Sequence, residues 1–317
     1  MAANWMRRSL MVAACASAAL LAACGSSTTE SAISPQRMIA FGDGMSDVGQ
    51  KGTRYTVNDG SVNNWTLQVA SGYGKTLTAS SAGGKSYAAG NARIVAKPDA
   101  AGSNTTLTVK EQIDSFLASN TCTGDDLVMI NGGISDVIAN MAAVNAGTMT
   151  TEQMITASRQ AGTDFAAQIR RLVNAGAKYV VVAGTYDLSK TPWATDIGRT
   201  TVLNSASSAF NEGLLVGIVD LGANVLYVDL AYYVNLYTSS PSAYGFENAT
   251  KAVCTSVDAT DGIGIGAGKV NSALCTTSTL LASANQDKYA FADSVYLTPS
   301  AQRQFGTYAY DRLRSRW

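Results

Sequence analysis

Histidine is absent from this 317-residue chain. That one absence excludes an imidazole general base, a His-ligated metal and a Ser-His-Asp triad before any motif is read. Proline is scarce, with 5 residues, and charge of either sign is in balance, with 23 basic and 23 acidic residues. No Lys/Arg block stands out after residue 10, so the sequence suggests neither a nucleic-acid surface nor a polybasic membrane patch. Long apolar runs are missing except at the start. There Arg7 and Arg8 precede an apolar stretch, Ser9 to Ala23, that is too short for a spanning helix and ends in small residues. This is the pattern of an export signal, and residues 1–23 are set aside from the fold.

The signal ends Leu21-Ala22-Ala23-Cys24-Gly25, which resembles the lipobox of bacterial lipoproteins. The resemblance implies cleavage before Cys24 and fatty acylation of its sulfur; the alternative is an ordinary secretory signal with an incidental cysteine. Acyl chains such as palmitate would then anchor the protein, each buried methylene contributing about 0.8 kcal/mol. The lack of an acidic residue just after Cys24 favours the outer membrane of a bacterial envelope. Residues 24–36 are rich in Ser and Thr and read as a flexible tether, leaving 37–317 for the folded part. Beyond Cys15 in the signal and Cys24, the cysteines are Cys122, Cys254 and Cys275. Export permits disulfides. A Cys254–Cys275 pair would staple the Gly-rich stretch Asp261–Lys269 and leave Cys122 over, although three cysteines do not dictate a pairing.

From Met38 onward, short apolar runs alternate with longer helical patterns. Met38–Phe41, Leu127–Ile130, Tyr179–Ala183 and Asn224–Asp229 read as strands covered on both faces. Thr150 with Gln153 forms a capping box before a helix carrying Phe165, Ile169, Leu172 and Val173 and closed by Gly176. Leu203–Leu221 forms another, stopped by Gly222, and Thr298-Pro299 opens a last one. The order predicts one α/β fold, a parallel sheet between two helical layers.

Six short blocks then occur in sequence. They are Phe41-Gly42-Asp43-Gly44-Met45-Ser46-Asp47-Val48-Gly49, Ser86–Arg93, Gly133-Ile134-Ser135-Asp136, Tyr186–Pro192, Ala243–Phe246 and Asp293–Pro299. Their order and spacing resemble GDSL/SGNH-type esterases and lipases over nearly all of 37–317, which implies a three-layer, flavodoxin-like α/β/α fold. The resemblance also assigns roles. Gly44 stands where the family has its nucleophilic serine, Tyr296 where it has its histidine, and Asp293 where it has the orienting aspartate. Gly90 and Ser135 stand at the oxyanion-hole positions, with serine in place of the family's asparagine. Glycine has no atom with which to form an acyl-enzyme, and a phenol with a pKa near ~10 is a poor base at neutral pH.

Three readings follow. One is a catalytically silent, lipid-anchored envelope protein that binds an acyl, glycan or protein ligand. Another is an active ester hydrolase using Ser46 or an activated water, although Ser46 reads more simply as a helix-capping hydroxyl and neither Lys51 nor Lys85 has dyad spacing. The third is a structural envelope protein in which Tyr296 fills the space beside Gly44. No cofactor is expected. Asp43, Asp47 and Asp136 are read as caps and as partners of Arg93 in preference to metal ligands. Gly262, Gly264, Gly266 and Gly268 read as loop, and Tyr227, Tyr232, Tyr233 and Tyr237 as packing residues.

Overall fold

The computed structural model describes residues 33–317; the signal, Cys24 and most of the tether lie outside the described residues. Four parallel strands make the central sheet: β1 (Arg37–Phe41), β2 (Asp126–Asn131), β3 (Tyr179–Ala183) and β4 (Val225–Tyr227), neighbours in that order. Their side chains are almost wholly buried, as their continuous apolar character predicts. The fourth strand is shorter than its apolar run because Asp229 leaves it to cap the next helix, accepting a hydrogen bond from the Tyr232 amide. On the outer side of β1, Lys85–Ala89 runs alongside and exchanges backbone bonds with Ala40 and Gly42. Counting that irregular edge, the strands follow the chain order 2-1-3-4-5 of a doubly wound sheet.

Helices cover both faces. Alternate strand residues Met38, Ala40, Leu127, Met129 and Val181 face α1 (Trp65–Gly72) and the last helix. Ile39, Phe41, Val128, Ile130, Val180 and Val182 face the other layer. That layer holds α2 (Val109–Leu117) and α4 (Thr151–Asn174), while α3 (Ile134–Asn145) starts directly after β2 and packs with the first layer. The Thr150 capping box is present in full, with both reciprocal hydrogen bonds made. After β3 come α5 (Pro192–Asp196) and α6 (Thr200–Ile218), the latter packed along α4 and finished by one tight turn, Val219–Leu221, before Gly222.

Helix α7 (Leu230–Ser239) carries the tyrosine run. Tyr237 is buried, Tyr233 stacks near Tyr308 with centroids 4.3 Å apart, and Tyr232 is exposed. A second, smaller region follows: β5 (Asn248–Ala252), the antiparallel pair β6 (Val257–Asp258) and β7 (Lys269–Val270), and β8 (Tyr289–Phe291), which pairs with β5. Cys254 and Cys275 are joined by a disulfide around the Gly-rich loop, and Cys122 is buried and unpaired. Burial pushes the Cys122 thiol up to about 11, which leaves it unreactive at neutral pH. The chain closes with α8 (Pro299–Arg316), capped by Thr298. Among the described residues, no helix is long and apolar enough to cross a membrane.

Candidate active site and what fills it

Five of the six sequence blocks meet around the carboxyl ends of β1 and β2, through the contacts of Gly44 with Tyr296, Asp47 with Gly90, Arg93 with Asp136 and Tyr186 with Val295, whereas Ala243–Phe246 packs against Tyr237. In the doubly wound order, the direction in which successive strands are added to the sheet reverses between these two parallel strands, and open α/β sheets hold their ligands at such a point. Gly42 follows β1 with φ of +142°, a conformation that glycine adopts readily. A Cβ there would also stand 2.1 Å from Asn131 Oδ1. The Asn131 amide is therefore packed against Gly42, and its Nδ2 donates to Asp43 Oδ1 at 2.7 Å. The Met45 amide donates to the same oxygen at 3.0 Å.

Gly44 is the centre of the arrangement. A Cβ built on it would lie 2.8 Å from Cζ of Tyr296 and 2.9 Å from its Cε1 and hydroxyl oxygen. The phenol ring thus occupies the space that a nucleophile's side chain would need. Tyr296 is fully buried, and its hydroxyl has no hydrogen-bond partner. Burial above all, and then the nearby Asp43 carboxylate, hold the phenol far above its ordinary pKa, so it stays protonated. It cannot accept a proton as the missing histidine would.

Asp293 is placed beside Tyr296 but is already engaged. Its Oδ1 accepts from the amides of Val295 at 2.7 Å and Tyr296 at 2.6 Å, and its Oδ2 from the amide of Ser272 at 3.0 Å. It orders the turn that presents the tyrosine. Burial raises its pKa, and the amide bonds oppose that rise.

The oxyanion-hole positions are altered as well. The Gly90 N–H, at a position assigned to the oxyanion hole, donates to Asp47 Oδ2 at 2.8 Å. A Cβ on Gly90 would fall 1.9–2.0 Å from the Tyr55 ring, so that ring covers the glycine. Tyr55 also packs on Tyr296, with centroids 5.2 Å apart. Ser135, in the first turn of α3, is buried with an unpaired hydroxyl. Four buried polar atoms near this point make no well-formed hydrogen bond: Asp43 Oδ2, Asn131 Oδ1, Ser135 Oγ and the Tyr296 hydroxyl. Such a group costs about 1–3 kcal/mol when left unpaired.

Ser46 does not begin a helix. The chain from Gly42 to Asn64 consists of turns, and the first described helix starts at Trp65. The capping role expected of this serine is therefore replaced by another: its buried Oγ accepts from the Trp65 indole N–H at 3.0 Å. Asp47 does the local capping instead, taking the amides of Gly49 and Gln50, both at 2.8 Å. Asp136 pairs with Arg93 at 3.3 Å and accepts the Ile94 amide at 3.0 Å. The three carboxylates have separate partners, and no metal-holding group of three or more His, Cys, Asp or Glu occurs among the described residues.

Sequence reasoning did not anticipate Tyr55, Asn131 or the Asp47–Gly90 bond. Asn131 carried a visible signal, a polar residue ending an apolar strand before Gly-Gly. Tyr55 carried none, because only the path of the loop brings it over Gly90. Next to this filled site lies a groove of about 530 Å³ between the 93–102 loop, α3, α5 and the Gly-rich loop. Arg93, Asp99, Ala142, Asn145, Trp193 and Ile265 are among its walls. Gly44, Ser46 and Tyr296 do not line it.

A doubly wound parallel sheet with a Gly-Asp-Gly turn at its switch point and an Asp at the last block defines an SGNH-hydrolase type of α/β protein. The sequence profile of the GDSL-like lipase/acylhydrolase family matches residues 38–308, and the chain belongs to that family. It is also similar to an uncharacterised protein in the trpE–trpG intergenic region of Pseudomonas putida, 27% identical over 157 residues. That match covers 50% of this chain and 25% of the other, so the chain spans only part of the length of this relative.

Proposed function

We propose that this member of the GDSL/SGNH family does not hydrolyse esters. It is held on a bacterial envelope membrane, the outer one by preference, by acyl chains on Cys24, and it binds an acyl, glycan or protein ligand without turning it over. One observation carries the silence: the Tyr296 ring lies where the side chain of a nucleophile at Gly44 would stand. Removal of the serine or the histidine alone from a serine hydrolase of unrelated fold costs on the order of 10⁶ in turnover. Here both are replaced, and the Gly90 donor is bound to Asp47. Ser46, the alternative nucleophile, is buried beneath Trp65.

The binding part of the reading rests on the groove beside Arg93, whose volume falls in the range of small-molecule sites. The test is direct. Purified protein is incubated with short acyl esters and with a fluorophosphonate probe, and neither turnover nor labelling is expected. Turnover above background that disappears in Ser46→Ala would overturn the silent reading. The filled space at Gly44 also favours a second reading, a structural envelope protein with no ligand. Thermal shifts against lipid and glycan panels separate the two, since a ligand raises the melting temperature by mass action and a scaffold without a ligand shows no rise.

A further inference from the structure

We propose that the amino end of the sheet is a second membrane contact, a face that lies on an anionic phospholipid surface; this rests on the anchoring of Cys24 proposed above. All four strands are parallel, so their amino ends lie together. The tether enters there, with the Gln36 amide bonded to the Asp125 carbonyl at 2.8 Å. Arg37 is level with Asp126, and Leu127 with Tyr179. Strands are spaced by about 4.8 Å, so the start of β3 is roughly 10 Å from the point of entry.

Around the start of β3 the fold assembles what the linear sequence scatters. Trp317 packs on Tyr179 with centroids 5.1 Å apart, and Lys178 Nζ lies 5.1 Å over the same ring. Arg316 Nη2 donates to the Gly222 carbonyl at 2.6 Å, which ties the end of α8 to the turn after α6. Val216 in the last turn of α6 and Val219 in the turn that follows are 76% and 80% exposed, the two most exposed large apolar residues described. Arg312 and Arg314 are exposed on either side of the buried Leu313 near the end of α8, with Arg314 lying 5.7 Å over the Tyr310 ring. Against Lys178, Arg312, Arg314 and Arg316 stand Asp125, Asp311 and Asp220, and Asp220 is paired with Arg170 at 2.7 Å. Aliphatic side chains, an indole and an excess of cations around them are what a headgroup region with negative lipids accommodates.

The tether makes a weak contact sufficient. Ile33 and Pro35 are already buried in the fold, so residues 24–32 separate Cys24 from it and reach at most about 30 Å. That is of the same order as the radius of gyration of about 19 Å expected for a fold of this size. Anchoring at Cys24 therefore keeps this end of the molecule at high local concentration beside the bilayer.

Trp317 is a built-in reporter, because the other described tryptophans, Trp65 and Trp193, are 0% and 4% exposed. The natural mature protein is placed on vesicles of phosphatidylcholine, with or without phosphatidylglycerol, that contain a brominated lipid. Emission is compared with that of Trp317→Phe. Quenching of Trp317 is expected on the anionic vesicles and should fall as salt is raised. The combined change Lys178→Glu, Arg312→Glu and Arg314→Glu should weaken the docked state at least about a hundredfold, from roughly fivefold per lost cation. Circular dichroism and melting temperature check that the variant is folded.

Absence of Trp317 quenching on anionic vesicles overturns the face. So does quenching that is equal on neutral vesicles and unchanged by charge reversal, because the tether alone would then explain it. A mature chain whose mass lacks acyl groups overturns the anchor instead, and salt-dependent vesicle binding of that same chain still decides the face.

Discussion

Restoring the serine at Gly44 should destabilise the protein without making it a hydrolase. Gly44 lacks a left-handed φ, so an L-residue is allowed by its backbone, and replacing glycine there favours the folded state by about 0.4–1 kcal/mol through the unfolded chain. Against this stands a Cβ at 2.8–2.9 Å from three atoms of a fully buried ring. Overpacking of this kind costs about 1–3 kcal/mol. The steric cost wins, and Gly44→Ser should lose a net ~1–2 kcal/mol, seen as a melting temperature lower by about 2–3 °C. Tyr296→His shortens the ring, so in the double variant the two losses should be less than additive by about 1–2 kcal/mol. The assay is chemical denaturation of wild type, both single variants and the double. Even the double should show at most weak esterase turnover. The Gly90 N–H remains with Asp47, and one missing oxyanion donor alone removes about 10²–10³ in rate. A Gly44→Ser protein as stable as the wild type, with no coupling to position 296, would show that the ring does not fill that space. Brisk turnover in the double would refute the argument about the oxyanion hole.

Tyr296→Phe should be neutral or stabilising, by up to ~1–2 kcal/mol, because the hydroxyl it removes is buried without a partner; a large loss in a urea melt would contradict this. Asp43 is raised to about 6, first by burial, against about 3.9 in an unfolded chain. A raised carboxyl favours folding while protonated, so this group contributes on the order of 3 kcal/mol below pH ~4 that is lost as pH rises through ~6. The difference in pH-stability profile between wild type and Asp43→Asn isolates that window from the other carboxylates, and a flat difference would refute it. Replacing both Cys254 and Cys275 by alanine opens a loop with a sequence separation of 21 and should cost about 3 kcal/mol in chain entropy. The check is a comparison of denaturation midpoints for the two proteins without reductant.

Much of the frame was legible because its determinants are local. Met38–Phe41, Leu127–Ile130 and Tyr179–Ala183 are continuous apolar runs, and all are strands covered on both sides. Thr150 and Gln153 announce a helix start by a spacing that only two reciprocal hydrogen bonds explain. The site was legible in its composition but not in its state. The letters place Gly44 and Tyr296 in the first and last blocks and allow the larger ring to fill the space of the smaller residue as one of three readings; the fold puts the ring there. The turn after Gly44 misled for a physical reason. Ser46 has the chemistry of a helix cap, but its partner is Trp65, and Asp47 caps the local amides of Gly49 and Gln50 while its other oxygen takes the distant Gly90.

The bond from Gly90 to Asp47 also bears on how such a protein changes over time. A chain that begins again from Gly44→Ser meets the tyrosine; one that begins from Tyr296→His opens a void beside a glycine; one that frees the amide must first move an aspartate that orders its own loop. On the reading proposed above, each first step should lower stability and return no turnover. If that holds, single substitutions at these positions do not lead to a hydrolase, and a change of function would need several of them together.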